Sequence, residues 1–182
     1  MKRIEEKVKD IVEVRSHGSI VNFGADPAQT VSGYHFTDVT SDLMSKWLNQ
    51  ASRTTNGNGT ASALAGFRGV GKSHFLATLG ALLGHADLRS RISDPLVSST
   101  LHALARRQFP VAFIRRGTSQ TLLEELKEAI GPILGIEADK LNDSLTELLM
   151  QAAHHSGDLP LVLLIDTAFE RSERVSRDDG AV

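Results

Sequence analysis

Between Gly66 and Ser73 the chain reads Gly-Phe-Arg-Gly-Val-Gly-Lys-Ser. That spacing restricts the local backbone more than any other stretch. Glycine has no Cβ, so it enters φ > 0 readily and lets a loop close around another group. Successive N–H groups of such a loop form a nest for an anion. A helix starting at its end adds the positive end of its dipole. The pattern is G-x-x-x-x-G-K-[ST], the phosphate-binding P-loop, in which the lysine reaches the β- and γ-phosphates and the hydroxyl ligates Mg²⁺. The candidate nucleotide-binding residues are therefore Gly66, Phe67, Arg68, Gly69, Val70, Gly71, Lys72, Ser73 and His74, with ATP and Mg²⁺ as cofactors. Arg68 holds a variable position of the motif and is given no side-chain role. The plain alternative is a Gly-rich turn that binds nothing.

A P-loop needs a strand before it and a helix after it. Thr60 to Ala65 is the expected strand, although it is poor in β-branched residues. Ser73 to Leu83 reads as the helix, with Phe75, Leu76, Leu79, Leu82 and Leu83 on one apolar face. A second signal lies downstream. Leu159 to Ile165 is a near-continuous apolar run that ends in Asp166. Such a run suits a parallel strand covered on both faces. An acid at its carboxyl end sits where open α/β sheets bind ligands. This is the Walker B pattern, which pairs Asp166 with Ser73 around Mg²⁺. Their side-chain oxygens are expected about 4 to 7 Å apart, one metal–water shell. The alternative for Asp166 is a turn-initiating cap.

Apart from these motifs, the pattern predicts helices over residues 2–15, 41–50, 94–108 and 141–155, and one running to Leu134 from a cap at Thr118 or Ser119. Met44, Trp47 and Leu48 form the stripe of the second helix, with Trp47 a core anchor rather than a ligand-stacking ring. Leu122, Leu123, Leu126 and Ile130 point inward. Strands are expected at Ser19 to Phe23 and Pro110 to Arg115, and a helical turn at Leu88 to Ile92. Asn56 to Gly59 is a polar turn cluster that separates the extension from the core. The fold class is α/β: a mostly parallel sheet of at least three strands flanked by helices. The division is an N-terminal extension at 1–55, a partial core at 56–170 and a charged tail at 171–182.

Composition narrows the chemistry. The chain has no cysteine, which excludes disulfides and Cys-ligated zinc or iron–sulfur sites. A net charge of −2 gives no global pull toward nucleic acid or membrane. No apolar run approaches the roughly 20 residues of a membrane span. His154 and His155 are adjacent, so they do not share a helix face as a metal pair would. Arg115 and Arg116 end a strand; they either touch a partner or nucleic acid, or are a solvated strand end.

Gly66 to Leu79, Ile92 to Pro95, Phe109 to Gly117, Leu161 to Glu170 and the stretch from Tyr34-His35-Phe36-Thr37 to Trp47 together resemble one family. They are similar to the N-terminal ATPase region of very large bacterial proteins, the P-loop ATPases of bacteriophage-exclusion (BREX) defence systems. The resemblance implies a P-loop NTPase three-layer fold and Mg-ATP binding. It also implies a bacterial cytoplasmic setting, assembly with copies of itself or other defence-complex subunits, and DNA as a further partner. Hydrolysis would then drive conformational change; a nucleotide-dependent switch without hydrolysis is the alternative. A small-molecule kinase is disfavoured, since no Arg-rich lid segment is visible. Many ATPases of the additional-strand class place a glutamate directly after the Walker B aspartate to polarise water. Here that position is Thr167, which cannot act as a base. Glu170 is the candidate catalytic carboxylate beside Lys72 if the chain turns back; otherwise it is a solvated surface group. In that class a further strand lies between the P-loop and Walker B strands, and Glu170 to Val182 has no apolar run for it. The resemblance thus implies an incomplete core, the N-terminal part of a longer ATPase. Either the sheet has a gap, or the two motif strands pair directly.

Overall fold

The computed structural model describes residues 26–167 apart from 56, 68, 118 and 120. The expected helix at 2–15, the strand at Ser19 to Phe23, Arg68, Thr118, Glu170 and the tail lie outside the described residues. In chain order the elements are helices α1 (Pro27–Ser32), α2 (Asp38–Arg53) and α3 (Lys72–Gly84), a 3-10 helix (Ala86–Arg91), and α4 (Pro95–His102). Strand β1 (Val111–Arg115), α5 (Leu122–Leu134), a short 3-10 turn (Ala138–Lys140), α6 (Leu145–His155) and β2 (Val162–Asp166) follow.

The fold is mixed α/β. β1 and β2 pair in parallel, Val111 opposite Val162 through Arg115 opposite Asp166. Alternate side chains of a strand leave on opposite faces, and two apolar clusters show which face meets which helices. Val111, Phe113, Val162 and Leu164 pack with Phe75, Leu79, Leu82 and Leu83 of α3 and with Met44 and Leu48 of α2. Ala112, Ile114 and Leu163 pack on the other side with Leu126 and Ile130 of α5 and Leu148 and Ala152 of α6. Trp47 packs edge-on against Phe75, ring centroids 5.5 Å apart, within the first cluster.

Helix α3 meets the sheet closely because Gly80 has no side chain. A Cβ there would lie 2.6 Å from Leu164 Cδ1 and would also strike the Phe113 ring. A Cβ at Gly84 would touch Val111 Cγ2 at 3.5 Å. So the end of α3 lies over the start of β1 and its middle lies over mid-sheet. The helix runs antiparallel to the strands, and its N-terminus lies toward their carboxyl ends.

Thr60 to Ala65 forms no strand, and among the described residues the sheet has two strands rather than three. A groove of about 660 Å³ separates Gly59 to Leu64 from Pro160 to Ile165, floored by Leu76, Leu79 and Leu83 of α3. Of the two arrangements expected, the motif segments therefore stand apart and do not pair. The segment's side chains are small, and only Leu64 packs against the core, so little holds it in a ladder.

Helix boundaries also differ from expectation for identifiable reasons. α4 stops at His102 instead of reaching Gln108, because Ala105 takes φ 49° and the carbonyls of Ala105 and Arg107 accept from the Arg89 guanidinium. α5 is capped by Thr121, not Thr118 or Ser119: its hydroxyl accepts from Glu124 N–H while Glu124 accepts from Thr121 N–H, a capping box. α6 begins after its cap Ser144 rather than at Leu141, since Asn142 Oδ1 accepts from Ser144 N–H at 2.7 Å in a turn just ahead of it. Leu122 is 39% exposed, whereas Leu126 and Ile130 are buried as expected.

Candidate functional site

The loop ahead of α3 adopts the backbone its glycines permit. Gly69 and Gly71 stand at φ 82° and 85°, left-handed values that side chains resist. Phe67 and Val70 are 89% and 62% exposed, so these two variable positions of the loop face solvent. The Lys72 ammonium bends over the loop and donates to the carbonyls of Gly66 at 2.9 Å and Phe67 at 2.6 Å. Ser73 follows in the first helical turn.

The start of α3 differs from every other α-helix among the described residues. α1, α2, α4, α5 and α6 begin on side chains that accept from their first-turn N–H groups: Asp26, Thr37, Asp94, Thr121 and Ser144. α3 begins on Gly71 in the left-handed region, with no side-chain cap. Its leading N–H groups are thus left for another acceptor. The His74 ring is turned away from the loop. Its Nε2 lies 3.0 Å from the Thr30 carbonyl, and Tyr34 packs edge-on against it at 4.9 Å. What His74 can offer the loop is its backbone N–H.

Asp166 ends β2 at the same end of the sheet. It has the parity of Leu164, so its side chain leaves on the α3 face. From the level where Gly80 meets Leu164, Asp166 lies about 7 Å along the strand and Ser73 about 10 Å along the helix. The sheet and helix therefore bring Lys72, Ser73 and Asp166 to one end and one face. Thr167, next in the chain, is exposed. Glu170 and Arg68 lie outside the described residues, so the structure describes no place for either. No group of three or more His, Cys, Asp or Glu that could hold a metal occurs among the described residues.

Two residues of this end were not legible as such. Glu125 is 3% exposed, and its carboxylate accepts from Gly117 N–H at 2.6 Å, from Ser119 N–H at 3.4 Å and from the Arg116 guanidinium. Burial pushes this carboxyl up, but the Arg116 bond and the loop N–H groups outweigh it and hold it below the ordinary glutamate value. Arg116 N–H in turn donates to the Asp166 carbonyl at 2.8 Å. The loop after β1 is thereby tied to the end of β2. No sequence pattern marks Glu125 over its neighbours. Arg115, read as a strand end, shares the face of Asp166, and counting parity from Asp166 would have found it.

No family model, curated protein or solved structure matched this chain. No helix among the described residues is long and apolar enough to cross a membrane.

Proposed function

We propose that this chain is a Mg-ATP-binding module with a P-loop NTPase core. The observation that carries the reading is the uncapped start of α3 behind the Gly66–Ser73 loop. Every other α-helix among the described residues supplies its own acceptor, while this one starts behind a glycine nest that suits a phosphate. Asp166 at the same end and face adds the oxygen ligand that pairs with the Ser73 hydroxyl. In this reading the loop N–H groups cradle the β-phosphate, and Lys72 exchanges its bonds to Gly66 and Phe67 for bonds to phosphate oxygens. Ser73 and Asp166 are the residues that would hold Mg²⁺, which neutralises charge on the phosphates when bound.

The wider setting rests on the sequence resemblance alone. It is ATP hydrolysis coupled to conformational change in a bacterial phage-defence or DNA-linked assembly in the cytoplasm. Thr167 supports a second reading, nucleotide binding that switches conformation without hydrolysis, because it places no base beside Asp166. Single-turnover hydrolysis by wild type and Glu170→Gln separates the two.

Calorimetric titration with ATP, ADP and GTP, with and without Mg²⁺, tests the core of the proposal. Lys72→Ala is expected to weaken ATP binding by about tenfold or more, equivalent to roughly 1.4 kcal/mol. Equal ATP affinity in wild type and variant would remove the reading.

A further inference from the structure

α3 starts without a side-chain cap, and an uncapped first turn is the less stable kind. Its third residue, His74, carries one of the leading N–H groups that find no acceptor within a helix. The side chain of the same residue is seated on the end of α1. Nε2 lies 3.0 Å from the Thr30 carbonyl, and Tyr34 meets the ring edge-on at 4.9 Å. A carbonyl can only accept, so Nε2 is the nitrogen that carries the proton in this bond. Thr30 is 4% exposed. Tyr34 N–H goes to Val31 O at 3.3 Å, so the residue four on from Thr30 does not close its carbonyl. His74 closes it from another helix. Tyr34 also meets Phe75 at 6.3 Å and Phe36 at 4.8 Å. Two successive residues of the first turn of α3 are thus held by the end of α1 and the aromatic just after it.

We propose that His74 is a positioning residue of the nucleotide site: its seat on Thr30 and Tyr34 holds the first turn of α3 in the phosphate-accepting arrangement and couples α1 to the nucleotide. This rests on the nucleotide-binding reading above. The ring faces away from the loop, so it touches no phosphate and acts through the backbone N–H of its own residue. Holding that turn before the ligand arrives removes part of the ordering cost of binding. The coupling runs both ways, as an equilibrium linkage must. A phosphate that takes the leading N–H groups fixes the His74 backbone, and that keeps the ring on Thr30. α1 has six residues, too few to persist as an isolated helix, so its order depends on such contacts. Nucleotide occupancy is thereby passed to the segment ahead of the core.

The test uses the whole chain in wild type, His74→Ala, His74→Gln and Asp94→Ala. Mg-ATP affinity is measured, together with deuterium uptake of the α1 and Tyr34 amides with and without Mg-ATP. His74→Ala should bind Mg-ATP about fivefold or more weakly, the lower end of a coupling between sites. Mg-ATP should slow exchange in α1 of wild type, and His74→Ala should lose most of that protection. His74→Gln should recover most of both effects, because its amide N–H stands as many bonds from Cα as Nε2 does. Asp94→Ala breaks the tie between α2 and α4. It should lower the melting temperature yet leave Mg-ATP affinity within about twofold, as for a distant site. A His74→Ala variant that melts lower but keeps wild-type affinity would overturn the proposal and reduce the seat to packing. So would a wild-type α1 whose exchange does not respond to bound Mg-ATP, a result that needs no variant to fold. A wild-type chain that binds no nucleotide would instead defeat the underlying reading.

Discussion

Arg89 offers the sharpest test of how the helical side of the molecule is held. It is 7% exposed. Its Nε donates to Leu82 O at 2.8 Å, Nη1 to Ala105 O at 2.8 Å, and Nη2 to Leu83 O at 3.2 Å and Arg107 O at 2.5 Å. All four acceptors are carbonyls, two of them in the last turn of α3, where the helix dipole favours a cation. Burial lowers the guanidinium's proton affinity, yet an arginine stays charged at any pH at which the protein is handled. Arg89→Ala strips four acceptors at once. Leu83 O keeps the Phe109 N–H at 3.1 Å, and the bonds to Ala105 and Arg107 are only part-buried, so water replaces them in part. Hydrogen bonds to a charged group contribute about 1.5–3 kcal/mol each. After relief of the cation's own desolvation, the net loss should be about 3 kcal/mol, a fall in Tm of roughly 6–12 °C at this chain length. Arg89→Lys should recover less than half, because an ammonium cannot spread its donors across a planar fork. Urea melts followed by circular dichroism measure both. An Arg89→Ala variant within about 0.5 kcal/mol of wild type would show that these carbonyls do not depend on the guanidinium.

Gly80→Ala should destabilise by about 1–2 kcal/mol, the cost of overpacking against Phe113 and Leu164 exceeding the helix-propensity gain of roughly 1 kcal/mol; a more stable variant would refute the close helix–sheet contact. Asp94→Ala removes the cap on Val97 N–H and the Ser41 Oγ bond at 2.7 Å that ties α2 to α4, and a thermal melt should report a loss of about 1–2 kcal/mol. Asp94, through the Val97 N–H bond, and Glu125, through Arg116 and the loop N–H groups that outweigh its burial, both hold their protons less tightly folded than unfolded. Their stabilisation is complete above the ordinary carboxylate range, about 4. It is lost as pH falls through the lower folded values. Glu125→Gln should flatten that acid limb in a pH series of melts, and an unchanged slope would contradict the assigned cause.

The elements with strong local rules were legible. Met44 and Leu48 do bury along the one apolar face of α2, and Phe75, Leu79, Leu82 and Leu83 bury along α3, although that helix is buried all round from Ala77 to Leu83 rather than on a single face. The β2 run and its final Asp166 were legible as a continuous apolar stretch, but the strand begins at Val162 rather than Leu159, and Ile165 is 44% exposed, so it is not covered on both faces along its length. The strand expected at Thr60 to Ala65 does not form, because Ala, Ser and Thr carry little side chain to pack and pairing depends on a neighbour elsewhere in the chain. α4 was overread because its end is set by Arg89, distant in sequence from Ala105 and Arg107. At the candidate site, the Gly66–Ser73 motif announces its chemistry through its own spacing. The uncapped helix start and the face of Arg115 emerge only from comparison across helices and strands.

The glycine at the centre of α3 has a mechanical consequence. At Gly80 the helix backbone meets Phe113 and Leu164 with no side chain between, so any tilt of the helix relative to the sheet would pivot there, as a beam tilts on a fulcrum. Lys72 lies about 12 Å along the axis from this pivot, and a tilt of about 10° would move the loop by about 2 Å relative to Asp166. A displacement of that size matches a Mg–O bond length, about 2.1 Å. The two halves of the proposed site, Ser73 and Asp166, ride on different bodies, one on the beam and one on the sheet. The grip of Phe113 and Leu164 on a bare backbone position thus sets how far apart they stand.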